Sequence, residues 1–182
     1  AGFSAARGPT IPRLIPPGGL CQGPGGAILG PTPGGKAAMA NTDQETQWNG
    51  AQGRNWLASD AALEALMAGS AGILAAAAAA APGEAVLDIG CGTGGGAIGF
   101  ARAVGPLGRV LGIDIAAPLL ARAEERRDAV GAANLGFLRA DAQTHRFAEG
   151  PFDLAVSRFG MMFFDDPAAA LRIHPNDLRR TV

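Results

Sequence analysis

The chain is poor in the residues from which metal sites and disulfide frameworks are built. Its 182 residues include two cysteines, Cys21 and Cys91, and two histidines. These residues form no cluster with metal-ligand spacing, so we expect no metal centre. A disulfide between the two cysteines would tie a terminal segment to the middle of the chain. A reduced, cytoplasmic protein is therefore the simpler expectation.

Charge of either sign is also in short supply. Charged residues make up 17% of the chain, and the formal net charge is −1. This balance offers no basic face to a phosphate backbone, so we expect no nucleic-acid partner. The arginines of segment 122–127 are interspersed with glutamates, which is typical of the solvated side of a helix.

Long apolar runs are nearly absent. No secretory signal is visible, since Arg7 and Arg13 lie among prolines and glycines near the amino terminus. The run 61–81 approaches the length of a membrane span, but it is mostly alanine and contains Glu64. We therefore expect a soluble helix and no membrane span.

Composition divides the chain into three parts. Residues 1–38 hold ten glycines and seven prolines, which predicts a disordered tail. Met39 follows where a natural start would lie. Residues 39–83 are expected to form a helical cap, and residues 84–182 the core.

The most informative segment runs from Val86 to Gly96 and reads Val-Leu-Asp-Ile-Gly-Cys-Gly-Thr-Gly-Gly-Gly. A short apolar run carrying Asp88 leads into a glycine-rich turn and then a helix-forming segment, which predicts strand, loop and helix start. Such a turn lets a nucleotide-like ligand lie against main-chain N–H groups. By itself, the segment also fits a dinucleotide fingerprint or a tight turn without a ligand.

The next two predicted strands also end in acids. Strand 109–114 ends at Asp114, 22 residues after Gly92, a separation that fits one crossover helix between parallel neighbours. Asp114 would then reach ribose hydroxyls of either NAD or S-adenosylmethionine. Asp141 follows strand 135–140 and can accept a hydrogen bond from an adenine amino group, which favours S-adenosylmethionine. Three acids in register predict a ligand crevice at this edge of the sheet.

Together these motifs resemble the class I, Rossmann-like S-adenosylmethionine-dependent methyltransferases. The pattern is similar to bacterial relatives of the ubiquinone and menaquinone methyltransferases, and it covers roughly residues 43–170. The matching stretches are 86–94, Gly112-Ile113-Asp114-Ile115, Ala140-Asp141-Ala142 and 152–160. The resemblance implies an α/β fold with an open parallel sheet, a helical amino-terminal cap and S-adenosylmethionine as cofactor. It implies that the cofactor-binding residues are Asp88, Gly90, Cys91, Gly92, Gly94, Asp114, Ile115, Asp141, Ala142 and Ser157.

The resemblance also implies what several of these residues do. Asp88 would reach the amino end of the cofactor, with the loop glycines along its methionine part. Asp114 would hold the ribose and Asp141 the adenine. Ser157-Arg158-Phe159 would end a fourth strand over 152–159 and face the transferred methyl group. That strand end lacks the Asn-Pro-Pro-aromatic signature of amino-methylating relatives, which argues against DNA bases and glutamine amides as acceptors.

We therefore expect methyl transfer to a small-molecule acceptor. Transfer depends mainly on alignment, although an oxygen or carbon acceptor would need deprotonation. No catalytic residue is assigned, and His145 is expected to be a solvated loop residue. Trp48 and Trp56 would either meet the acceptor or pack against the sheet edge, with packing slightly favoured. An NAD-dependent oxidoreductase, against which Asp88 and Asp141 argue, and a non-catalytic cofactor-binding module stay open, as does the oligomeric state.

The carboxyl end departs from the family pattern. A helix over 168–173 is predicted, with no Pro-Gly-Gly turn into a fifth strand. We expect a truncated or frameshifted core with strand order 3-2-1-4, in which Leu154 and Val156 on the open fourth strand lose their cover. Such a chain would be marginally stable, with impaired activity. Ala116 also stands where relatives often carry a helix-capping serine.

Overall fold

The computed structural model describes residues 41–147, 150–167 and 178–182. The tail predicted for 1–38 and the helix predicted for 168–173 lie outside the described residues. Three helices come first, and strands then alternate with helices. The elements are α1 (Thr42–Asn49), α2 (Ala51–Ala58), α3 (Asp60–Ala78), β1 (Ala85–Ile89), α4 (Gly95–Val104), β2 (Arg109–Asp114), α5 (Ala117–Val130), β3 (Leu135–Arg139), β4 (Phe152–Val156), a 3₁₀ turn (Gly160–Phe163) and β5 (Leu178–Thr181).

The five strands form one parallel sheet in the order β3-β2-β1-β4-β5. Helices α4 and α5 follow β1 and β2 as crossovers, and α1 to α3 precede the sheet. The predicted Rossmann-like α/β fold with amino-terminal helices is therefore confirmed. β2 has its predicted bounds, whereas β3 and β4 end before the predicted 140 and 159.

The expectation that β4 is an open edge was wrong. β5 pairs with β4 in parallel, with Phe152 opposite Leu178 and Leu154 opposite Arg180. The segment Leu-Arg-Arg-Thr has little apolar alternation, so its sequence gives no strand signal. Leu154 and Val156 are consequently buried.

The two faces of the sheet carry separate apolar clusters, because side chains of a strand alternate between faces. Val86, Val110 and Leu154 pack with residues of α4, including Phe100. Leu87, Ile89 and Ile113 point the other way and pack with Ala142, Phe152 and Ala155. Asp88 and Asp114 share the parity of Val86 and Val110, which places them on the face covered by α4.

Helix α3 is apolar but tied to the rest of the domain by its acids. Among the described helices it alone has the length and hydropathy to cross a membrane, with a mean hydropathy of 1.6. Asp60, at its start, pairs with Arg126 of α5 at 2.8 Å. Glu64, one turn later, pairs with Arg158 after β4 at 3.1 Å. These two ion pairs fix the first turns of α3 against the domain.

Candidate functional site

A cavity of about 460 Å³ lies at the carboxyl ends of β1, β2 and β3. The three predicted acids, Asp88, Asp114 and Asp141, all line it, and helices α1 to α3 contribute to its walls. Of the other predicted site residues, those lining it are Gly90, Cys91, Gly92, Ile115 and Ala142. Eight of the ten residues predicted to bind the cofactor therefore line one cavity. They come together because successive parallel strands end at the same edge of the sheet.

The glycines of the loop after β1 have different tasks, although all have positive φ. A Cβ on Gly90 would come within 2.6 Å of the Cα of Gly160, so these two backbones touch. A Cβ on Gly94 would meet Ala123 and Phe137 at 2.9 Å, and Gly94 does not line the cavity. Gly92 alone of the three has open space where a Cβ would be. The loop therefore offers a ligand close access to the backbone at Gly92.

Asp88 is a buried acid under the first turn of α4. A Cβ on Gly96 would lie 3.3 Å from its Oδ2. Burial raises the pKa of Asp88 to about 7, with the Arg158 guanidinium opposing this rise and the Asp114 charge adding to it. A carboxyl held in this way gains from a cationic ligand group, which would offset its lost hydration.

Asp114 is held by backbone donors. Its Oδ2 accepts from the Gly92 N–H at 2.8 Å, and its Oδ1 accepts from the Ala116 N–H at 2.9 Å. Burial raises its pKa, and these backbone hydrogen bonds work against the rise. Each carboxylate oxygen has a further lone pair, so Asp114 is fixed in orientation and can still accept from a diol.

Asp141 has an unsatisfied acceptor. Its Oδ1 accepts from the Gln143 N–H at 2.9 Å. Its Oδ2 is buried and has no hydrogen-bond partner among the described residues. The neighbouring Ala142 is small and also lines the cavity. A buried acceptor without a partner beside a small residue suits a planar ligand that carries an N–H donor.

Ser157 is used within the protein. Its hydroxyl donates to the Ile89 carbonyl at 2.8 Å and accepts from the Met161 N–H at 3.2 Å. Ser157 does not line the cavity. Its position joins the end of β1 to the 3₁₀ turn, so it supports the loop near Gly90 from behind.

Two charged residues that line the cavity were not among the predicted cofactor-binding residues. Glu64 of α3 and Arg158, after β4, both line the cavity and form an ion pair there. A Cβ on Gly95 would overlap the Glu64 carboxylate, so this acid lies against the first residue of α4. Two sequence features could have indicated these residues: Glu64 is an acid within an alanine-rich run, and Arg158 is an arginine near the end of a predicted strand.

The expectation that the 122–127 arginines are solvated was wrong for two of them: the Arg127 side chain is 20% exposed and pairs with Glu124, and the Arg126 side chain is 21% exposed. The Arg126 guanidinium donates to Asp60 at 2.8 Å and to the Thr93 hydroxyl at 2.9 Å. The Thr93 hydroxyl donates in turn to Asp60 at 2.9 Å, and Arg122 adds a bond to the same carboxylate. The buried acid of α3 draws these cations inward because it must be paired. The network locks α3, α5 and the glycine loop together.

Aromatic side chains line the side of the cavity formed by α1 and α2. Trp48 packs edge-on against Trp56 and Phe163, with ring centroids 5.5 and 5.4 Å apart. Both tryptophans line the cavity, so they do more than fill the sheet edge. His145 instead packs against Phe147 and does not line the cavity.

The fold and the three strand-end acids define a Rossmann-like domain with a nucleotide-type crevice, and the comparisons identify its family. Residues 86–174 match the family described as a methyltransferase domain. The chain contains a class I S-adenosylmethionine-dependent methyltransferase domain.

Several curated relatives match about half of the chain. Aklanonic acid methyltransferase DauC of a Streptomyces species is 38% identical over 89 residues, covering 49% of this chain and 40% of that protein. Demethylmenaquinone methyltransferase of Geobacillus kaustophilus is 33% identical over 90 residues, covering 50% and 38%. The matched segment therefore spans less than half the length of these relatives.

Solved structures give the same fold. The YcgJ protein from Bacillus subtilis is 26% identical, with a TM-score of 0.51, covering 57% of this chain and 43% of that one. The cyclase SpnF is 25% identical, with a TM-score of 0.51, covering 57% and 38%.

The residues present fit S-adenosylmethionine, the cofactor that this family uses. The unpartnered Asp141 Oδ2 suits an adenine amino group. The backbone-held Asp114 suits two ribose hydroxyls, and the open side of Gly92 leaves room for the ligand. The buried Asp88 suits an ammonium group.

Proposed function

We propose that this domain transfers a methyl group from S-adenosylmethionine to an oxygen or carbon atom of an apolar small molecule. The observation that carries the proposal is one cavity in which the three strand-end acids share walls with an aromatic cluster. The three acids suit a nucleoside that carries an amino-acid moiety, and the aromatic cluster suits a flat apolar acceptor.

The bound cofactor supplies an electrophilic methyl group on a positively charged sulfur. The residues of this chain provide alignment, which is the main requirement of such a transfer. Asp141 would accept from the adenine, Asp114 from the ribose and Asp88 from the amino end. Ser157 would act indirectly, because its two backbone hydrogen bonds hold the strand ends that form the crevice.

The acceptor class is inferred from the aromatic wall and from the relatives. The rings of Trp48, Trp56 and Phe163 line the cavity and give it an apolar wall. The two curated relatives described above are named for aklanonic acid and demethylmenaquinone, which are small molecules. An Asn-Pro-Pro-aromatic motif for gripping a planar nitrogen is missing after β4. These points together favour an oxygen or carbon nucleophile.

We further propose that the domain works in the cytoplasm without entering a membrane. Both acids of α3 are paired inside the domain, which supports packing of this helix on its neighbours. Cys91 is a buried free thiol. Burial raises its pKa well above its usual value, so the thiol stays protonated and unreactive at neutral pH.

The proposal is tested with S-adenosylmethionine labelled in its transferable methyl group. The protein is incubated with apolar phenols and enols and, separately, with DNA and with protein acceptors. We expect label in the organic extract of at least one small-molecule reaction. Trp56→Leu should raise the acceptor KM about tenfold, through loss of ring contact, while the exposed Met162→Leu control leaves it unchanged. Label found only in DNA or protein would contradict the proposed acceptor class.

A further inference from the structure

One of the two ion pairs that hold the first turns of α3 also lies in the wall of the cavity. Arg158 and Glu64 meet at 3.1 Å, and both line the cavity. We propose that Arg158 binds the carboxylate of the cofactor's methionine moiety and that Glu64 occupies its place in the ligand-free protein. This assignment rests on the function proposed above and adds a residue for the charged end of the cofactor.

The first support is the neighbourhood of Arg158. A methionine moiety carries its amino and carboxylate groups on one carbon, so the protein groups that receive them must be neighbours. Asp88 is placed for the amino group, and the charge of Arg158 acts directly on it. Val156, the last residue of β4, pairs with Asp88 of β1; Arg158 follows two residues later, and both Asp88 and Arg158 line the cavity. Arg158 and Asp88 thus present opposite charges to one end of the cavity.

The second support is the unused capacity of the guanidinium. Arginine has five N–H donors in a planar fork that matches a carboxylate with two parallel bonds. Among the described residues, the hydrogen bond from Arg158 goes to a single oxygen of Glu64. The Arg158 side chain is 16% exposed, so water does little to screen it. The remaining donors are available to a second carboxylate.

The third support is the position of the Glu64 carboxylate. It lies against Gly95, where a Cβ would overlap it, and therefore at the start of α4 beside the glycine loop. A carboxylate is favoured there by the helix dipole as well as by Arg158. An acid of the protein in this position resembles the carboxylate of a bound ligand. Cofactor binding would require the Glu64 carboxylate to give up its ion pair with Arg158.

The test compares ligands that differ in one group. Calorimetric titrations use S-adenosylmethionine, its decarboxylated form, which keeps the amine, and methylthioadenosine, which lacks both groups. Arg158→Gln should weaken S-adenosylmethionine binding about 10- to 100-fold, the value of one or two charge-assisted bonds. It should change binding of the other two ligands less than about twofold. The control Arg102→Gln, on the exposed side of α4, removes the same charge and should change none of them.

A second variant keeps the proposal testable if Arg158→Gln unfolds. Glu64→Gln frees Arg158 and should tighten S-adenosylmethionine about three- to tenfold, with little effect on the decarboxylated form. Equal weakening of both ligands by Glu64→Gln would make Glu64 the amine acceptor and overturn the assignment. Equal changes of both ligands in Arg158→Gln, or none, would also overturn it. If no adenosine ligand binds the wild-type protein, the proposed function itself fails.

Discussion

At the scale of single residues, Asp88 is a buried carboxyl whose ionisation lowers the stability of the fold. Its pKa is raised to about 7 because the carboxyl is buried, and the Arg158 charge offsets only part of the cost. Between pH 4 and 7 the folded protein retains a proton that the unfolded chain has lost, so the stability of the fold falls as the pH rises across this interval. Above about pH 7 the full cost of the buried charge is present.

Asp88→Asn should therefore stabilise the ligand-free protein. We expect the free energy of unfolding at pH 8 to rise by about 1 to 4 kcal/mol, since each pKa unit is worth about 1.4 kcal/mol. Urea denaturation at pH 5 and pH 8 measures the effect, which should be larger at pH 8. Asp128→Asn on the exposed end of α5 is the matched control. A less stable Asp88→Asn protein at pH 8 would show that the carboxylate has compensating partners.

Asp114→Asn tests the ribose contact. The amide keeps one acceptor oxygen but loses the charge that would strengthen two hydrogen bonds from a diol. We expect the binding free energy of S-adenosylhomocysteine to weaken by about 1.5 to 3 kcal/mol, measured by calorimetry. Because Asp114 also holds Gly92 and Ala116, the melting temperature is recorded alongside. Unchanged affinity in a folded variant would remove Asp114 from the site.

The sequence identified the residues whose position follows from local pattern. Asp88, Asp114 and Asp141 each end or follow a short apolar run, and parallel strands bring such positions together whatever the rest of the chain does. Arg158 and Glu64 are 94 residues apart, and their pairing depends on how α3 packs. The burial of Arg126 was not predicted because its partner, Asp60, is 66 residues away in the sequence and gives no local signal.

At the scale of secondary structure, the start of α5 shows how one helix completes another. Ala116 has no side-chain oxygen to cap the helix. Asn49, the last residue of α1, accepts from the Ala117 N–H at 2.9 Å and donates to the Ile115 carbonyl at 3.1 Å. The cap that Ala116 cannot supply is therefore supplied by Asn49, which is 68 residues away from Ala117 in the sequence. Through this contact α1 supports the loop after β2.

Asn49→Ala should cost about 1 to 2 kcal/mol of stability, the usual value of a lost helix cap with an added carbonyl contact. Asn55→Ala, on the exposed side of α2, makes the same change in composition and should be neutral within about 0.5 kcal/mol. Denaturant melts of the two variants measure the difference. Equal stability of the two proteins would show that Asn49 does not cap α5.

The contact between the loop after β1 and the 3₁₀ turn can be tested in the same way. A Cβ on Gly160 would lie 2.6 Å from the Ile89 carbonyl oxygen and 2.7 Å from the Gly90 Cα. Gly160→Ala should therefore displace the cofactor loop and destabilise the protein by about 1 to 3 kcal/mol. Gly72→Ala, in α3, has open space and should stabilise by about 0.5 to 1 kcal/mol. Thermal melts with opposite signs are expected, and a stabilised Gly160→Ala would contradict the contact.

At the scale of the whole molecule, the sheet is extended past β4 by β5, a strand that was not predicted from the sequence. β5 covers β4, and its own outer edge is four residues long and carries Arg179 and Arg180. Short, charged edges resist pairing with other chains. Arg180 also bonds the Ala78 carbonyl and the Glu84 carboxylate, which ties β5 to the end of α3 and the turn before β1.

The central claim is that the crevice at the carboxyl ends of the strands binds S-adenosylmethionine. Calorimetric titration with S-adenosylhomocysteine and, separately, with NADH tests it most directly. We predict saturable binding of S-adenosylhomocysteine that weakens in Asp114→Asn, together with no heat from NADH. Saturable binding of NADH with no response to S-adenosylhomocysteine would contradict the account.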